Sequence, residues 1–196
     1  IHAIGDSSNR MLLDIYGSLD VRDKRWRIEH AQIVSPEDFI KFKTFRVLPS
    51  IQPTHATSDM NWLYDRIGPE RAKGAYAYRK LLDAYGKVMI GTDFPIEHFN
   101  PLYSFHAAVT RQDSKGLPKG GFQMDNALSR EEALRGMTIW SAYGCFQEKK
   151  RGSIEKGKDA DFVILDDDIM SAPNDKLRTI KTLKTIIAGN IVYSKN

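Results

Sequence analysis

The sequence predicts an α/β fold: half of a (β/α) barrel followed by part of a small β-domain. Three observations predict it. Over residues 1–150, short apolar runs alternate with amphipathic helical stretches. His2, His30 and Asp93, all residues with metal-ligand chemistry, each stand where such a run ends. Beyond residue 150 the pattern becomes strands joined by turns, with Gly189-Asn190 between two β-branched runs as a hairpin signal. We therefore divide the chain into a barrel part, 1–150, and a β part, 151–196.

Each element has a local reason. Residues 1–4 read as a strand end; Gly5 and Asp6 turn the chain, and Ser7 or Ser8 caps a helix. Met11, Leu12, Ile15 and Leu19 are spaced for its apolar face. Trp26–Ala31 is the next strand. Ser35-Pro36-Glu37-Asp38 starts a helix with a cap, a first-turn proline and acids at the positive end of the dipole. Phe39, Phe42 and Phe45 continue it. Arg46–Ile51 is a strand, followed by a long link over 52–73 with short helical turns. Ala75–Tyr85 is a helix closed by Gly86, and Lys87–Gly91 is a buried strand. Asn100-Pro101 opens a helix to about Thr110. Residues 111–127, rich in Gly and Lys, read as a mobile segment and a candidate lid. Ser129 with Glu132 forms a capping box for one helix reaching about Phe146. Gly152–Ile154, Asp161–Leu165 and Thr185–Tyr193 read as strands.

Composition narrows the function classes. Of 196 residues, 41% are hydrophobic and 28% charged, which fits a globular chain, and no apolar run matches a membrane span of roughly 20 residues. The net charge of +4 is mild, and the basic clusters at Arg22, Lys24, Arg25, Arg27 and at Lys149, Lys150, Arg151 accompany no nucleic-acid motif. They read as solvated surface, so neither nucleic acid nor membrane is expected as a partner. The lone Cys145 excludes an intrachain disulfide and reads as a buried structural thiol. It fits a reducing compartment, which favours a cytoplasmic location.

The spacing of the three candidate ligands carries the functional reading. His2 and His30 are 28 residues apart, near one strand-plus-helix unit of roughly 30. His30 and Asp93 are 63 apart, near two such units. Barrels of this kind present their chemistry at the C-terminal ends of successive strands. Imidazole and carboxylate suit a divalent ion that activates water for hydrolysis. Taken singly, each histidine is more often structural, and Asp93 could equally cap a turn; their common phase shifts the balance.

The segments His-Ala-Ile-Gly-Asp (2–6), Glu-His-Ala-Gln (29–32) and Gly-Thr-Asp-Phe-Pro (91–95) resemble the YtcJ-like branch (amidohydrolase family 3) of the amidohydrolase superfamily. Residues 152–166, Gly-Ser-Ile-Glu-Lys-Gly-Lys-Asp-Ala-Asp-Phe-Val-Ile-Leu-Asp, also resemble that superfamily's return into its β-sandwich. The resemblance implies strands five to eight of a TIM-type barrel, then part of a β-sandwich. It implies that His2 and His30 bind the more exposed metal and that Asp93 binds the other and shuttles the proton. The implied reaction is hydrolysis of a C–N bond in a small amide, formamide or cyclic amide by metal-activated water. Zinc, as one or two ions, is favoured on ligand type, with iron and manganese as alternatives.

The family's His-x-His pair and its bridging ligand are absent here. The chain therefore reads as a fragment, inactive alone, completed by an upstream half, a separate piece or a second copy of itself across open barrel edges. Gln52 and His55 are candidates for substrate contact or histidine tuning, with a loop-stabilising role as the alternative. Asp6 either orients His2 or starts the helix. Glu29 should point to the opposite strand face, Trp62 and Tyr64 either line a pocket or pack, and His98 and His106 read as structural. The alternative function is a non-catalytic assembly or scaffold module that keeps the fold.

Overall fold

A computed structural model describes residues 1–195. Four strands form one parallel sheet in the order β1 (His2–Ala3), β2 (Arg27–His30), β3 (Leu48–Ile51), β4 (Met89–Ile90). Sequential order with parallel pairing requires a crossover at every step, and helices supply it. The crossovers are α1 (Asp6–Ser18), α2 (Phe39–Phe45) and then α3 (Pro53–Asp59), α4 (Leu63–Ala72) and α5 (Tyr78–Tyr85). All four residues of β3 are buried, as expected for a strand covered on both faces. The sheet ends at β1 and β4, each paired on one side only.

The strands are shorter than the sequence suggests, and two helix readings change. Helix α1 buries Asn9, Leu12, Leu13 and Tyr16 rather than the Met11–Ile15–Leu19 stripe, which stays exposed. Asn9 sets that rotation: its side-chain amide donates to the carbonyls of Ala3 at 3.1 Å and Ile33 at 3.0 Å. The helix predicted from Ser129 does start on a complete capping box. It then breaks at Thr138 (φ −122°, ψ −94°) into α7 (Arg130–Met137) and α8 (Ile139–Gly144), after α6 (Pro101–Thr110). The break lets each half set a glycine against the sheet. A Cβ on Gly136 would meet the Ile90 side chain at 2.7 Å, and one on Gly144 would meet Met89 Sδ at 2.3 Å.

Two further expectations are corrected. Cys145 follows the end of α8 and is exposed, because the last turn buries Ala142 and Gly144 instead. The 111–127 segment is held at both ends. Arg111 is fully buried, its Nε donates to Phe122 O at 2.9 Å, Phe122 N donates back to Arg111 O at 2.8 Å, and Gln123 donates to Ala72 O at 3.0 Å.

Beyond α8, Gly152–Ile154 bends rather than forming a strand: Gly152 takes φ 92°, and a Cβ there would meet Ala142 Cβ at 2.8 Å and Ile139 Cα at 2.9 Å. A separate antiparallel sheet follows in the order β5 (Phe162–Leu165), β6 (Thr182–Ile187), β7 (Asn190–Ser194), with the hairpin turn at Ala188-Gly189, one residue before the expected Gly189-Asn190 pair. The first basic cluster is absorbed by ion pairs, Arg22 with Asp20, Arg25 with Glu148 and Arg27 with Glu29. Among the described residues no helix is long and apolar enough to cross a membrane.

Candidate metal centre

The candidate site lies at the C-terminal ends of β1 to β4. His2 stands in β1 and His30 closes β2. Gln52 is the one residue between β3 and α3, so the first turn of α3 carries His55 directly over the strand end. Asp93 follows β4 by three residues. His30 (φ 74°), Ala31 (φ 45°) and Asp93 (φ 60°) all occupy the left-handed region. Non-glycine residues there cost of order 1–3 kcal/mol each, and such strain collects at functional sites.

The side chains converge. One ligand atom from each of His30, His55 and Asp93 lies within 4.8 Å of the other two. His55 Nε2 is 2.9 Å from Asp93 Oδ2, and His2 Nδ1 is 3.0 Å from His30 Nε2. Neighbouring ring centroids are 5.1 Å apart for His2–His30 and 5.7 Å for His30–His55. Donors sharing one tetrahedral ion with bonds of about 2.05 Å sit about 3.3 Å apart, so both contacts are close to coordination spacing. His30 Nδ1 is buried and without a hydrogen-bond partner. Burial, with the neighbouring His55 and His2, pushes the His30 pKa down against the pull of Asp93. The neutral imidazole that results has a lone pair to offer. Donor types, spacing and the orphaned nitrogen all fit a divalent cation.

Other candidates settle elsewhere. Asp6 does not bond to His2: its carboxylate takes Arg71 at 2.8 and 3.0 Å and the Ser7 amide at 2.9 Å. Gln52 is buried, with its side-chain amide 3.5 Å from Ser50 O and its backbone carbonyl accepting from Tyr78 Oη at 3.1 Å. Glu29 pairs with Arg27 along its own strand. Trp62 is exposed, and Tyr64 packs edge-on against Phe122. His98 stacks on Phe99, and His106 is buried in α6.

Sequence reasoning missed Glu97 and the Asp59–Tyr76–Gln32 group. Glu97 approaches His55 Nδ1 at 3.4 Å and accepts from Ser58 Oγ at 2.6 Å, so His55 is held between two carboxylates. Tyr76 Oη donates to Asp59 at 2.5 Å and accepts from Gln32 at 3.0 Å, tying the loop after β2 to α3. Burial raises the pKa of both Asp59 and Tyr76. The available signal was spacing: Glu97 is four residues after Asp93, and Asp59 is four after His55, one turn along the same helix.

Comparison with known proteins places the chain. Residues 1–193 match the model of the amidohydrolase family. The chain is 37% identical to Protein LONG AFTER FAR-RED 3 of Arabidopsis thaliana, over 84% of this chain and 29% of that protein. It is 32% identical to the putative amidohydrolase YtcJ of Bacillus subtilis (strain 168), over 100% of this chain and 37% of that one. A crystal structure of an uncharacterized metal-dependent hydrolase from Pyrococcus horikoshii OT3 superposes with a TM-score of 0.77 at 33% identity, covering 89% of this chain and 35% of that one. The chain thus spans about a third of the length of these relatives. With parallel sheet, family model and structural likeness in agreement, the chain belongs to the amidohydrolase family.

Proposed function

We propose that this chain contributes the metal-binding and proton-transfer side of a metal-dependent hydrolase that cleaves a C–N bond in a small amide, formamide or cyclic amide. One observation carries the reading: from four successive strand ends, His55 pairs with Asp93 at 2.9 Å and His2 with His30 at 3.0 Å, and ligand atoms of His30, His55 and Asp93 lie within 4.8 Å of one another. In this reading β1–β4 are strands five to eight of a TIM-type barrel within residues 1–150. β5–β7 are part of a β-sandwich within 151–196, and the remaining strands come from upstream sequence or another chain.

His2, His30 and Asp93 would hold the ion, with zinc favoured for two imidazoles and a carboxylate. When bound, a divalent ion polarises a carbonyl and lowers the pKa of water toward about 7. The rest is done by this chain's residues. His55 Nε2 fixes Asp93 Oδ2, and Glu97, itself held by the Ser58 hydroxyl, approaches His55 Nδ1 in turn. Asp93 Oδ1 has no hydrogen bond among the described residues, which leaves it to accept a proton from water and deliver it to the departing nitrogen. A carboxylate in that role contributes about 10²–10⁴-fold, so Asp93→Asn should lower amide turnover by that factor, with His98→Asn as the unaffected control. Undiminished turnover by Asp93→Asn would reject the role. Retention of the ligand constellation favours this reading over a non-catalytic scaffold.

A further inference from the structure

A second polar cleft borders the candidate centre. It has a volume of about 350 Å³ and is walled by α3, the Glu97–His98 turn, the start of α6, Asp113–Ser114 and Arg178. Five stretches of chain build it, and Glu97 is common to it and the centre.

Its charges are arranged unusually. Arg178 makes no hydrogen bond or ion pair among the described residues, although its guanidinium is fixed 3.8 Å above the Tyr103 ring. Tyr103 is itself backed by His98, with centroids 4.7 Å apart. Stacking leaves the edge of the guanidinium, with its N–H donors, free to grip a carboxylate. Asp113 also faces the cleft. Its Oδ1 accepts from the Lys115 and Leu117 amides at 2.8 and 2.9 Å, and its Oδ2 has no partner. Arg178 and Asp113 form no ion pair with each other, yet both act on the buried His106 behind the wall. Glu97 Oε1 accepts from Ser58 Oγ at 2.6 Å and lies 3.4 Å from His55 Nδ1, and among the described residues Glu97 makes no ion pair with Arg178. The Thr54 hydroxyl on the same wall is buried and unpartnered, with the residue only 6% exposed.

We propose that this cleft binds a small zwitterion of the α-amino acid class. Its carboxylate meets Arg178, its ammonium meets Asp113, and hydroxyls of α3 take its polar side chain. An anion alone would face the uncompensated Asp113, and a cation alone would face Arg178. A ligand with both charges satisfies both, and the volume accommodates one amino acid or a dipeptide. The inference does not depend on the metal reading, because none of these contacts involves His2, His30 or Asp93.

The test is calorimetric titration of the whole protein with L-serine, using propionate and propylamine as single-charge controls. Saturable L-serine binding at least tenfold tighter than either control is expected, with and without added metal. Arg178→Gln and Asp113→Asn should each weaken it at least tenfold. Asn keeps the Oδ1 acceptor of the turn, so Asp113→Asn carries the test even if Arg178→Gln fails to fold. No saturable L-serine binding, propionate binding as tightly as L-serine, or unchanged binding in a folded variant overturns the proposal. Loss of hydrolysis in Asp93→Asn with L-serine binding intact would leave the two readings separate.

Discussion

Glu132→Gln tests how α7 is fastened to α5. The Arg79 guanidinium, donating at 2.7 and 2.5 Å, holds the Glu132 carboxyl down to about 2, against 4.5 for a free glutamate, while partial burial opposes it. At about 1.4 kcal/mol per pH unit this depression is worth at most about 3 kcal/mol. The Glu132 side chain is 26% exposed, so solvent screening reduces the expected contribution to about 1–2 kcal/mol. Gln retains a side-chain oxygen able to accept from the Ser129 amide in the capping box, so the substitution isolates the charge. A carboxylate with a depressed folded pKa stabilises above its unfolded value of 4.5 and loses that stabilisation as pH falls toward 2. Urea unfolding of wild type and Glu132→Gln should therefore differ by about 1–2 kcal/mol at pH 7 and by less than half of that near pH 3. Equal stability at pH 7, or a deficit that does not change with pH, would refute the argument.

Two more predictions concern stability. A Cβ on Gly74 would lie 1.9 Å from the Val34 carbonyl oxygen, and Gly74 O also accepts from Val34 N at 2.9 Å. Gly74→Ala should cost about 2–3 kcal/mol in denaturant unfolding, because backbone must move; a loss below about 0.5 kcal/mol would contradict the close approach. His106 is buried in α6, and burial, with Arg178 nearby, pushes its pKa to about 4. The unfolded chain then binds the extra proton between about pH 6.5 and 4, so stability falls with acidification across that window. His106→Gln should flatten that dependence in unfolding measured from pH 7 to 4, and an unchanged slope would count against a neutral buried imidazole.

Much of the architecture was legible because its signals are local. The alternation of apolar runs and helical stretches located every strand of the parallel sheet, and Ser129/Glu132 and Gly189-Asn190 marked a helix start and a hairpin. What failed was decided by tertiary packing. The face of α1 is set by Asn9 reaching carbonyls of Ala3 and Ile33, which no helical periodicity reveals. The break at Thr138 follows from two glycines docking on one strand, and Cys145 is exposed because the turn before it takes the buried positions.

At the site, strand phase pointed to His2, His30 and Asp93, and the structure brings His30 and Asp93 into one cluster with His55, with His2 beside His30. It placed His55 in a secondary rank, because a histidine in a helix after a strand does not announce which way it points. Glu97 and Asp59 were legible only through their four-residue spacing from Asp93 and His55.

The most direct test of the account is the metal content of the whole protein, purified and dialysed, by mass spectrometry. Wild type and His98→Asn should retain divalent metal, zinc foremost, while His30→Asn and Asp93→Asn, each folded by circular dichroism, should lose most of it. Full metal retention by His30→Asn and Asp93→Asn would show that the imidazoles and carboxylate gathered at the strand ends hold no ion.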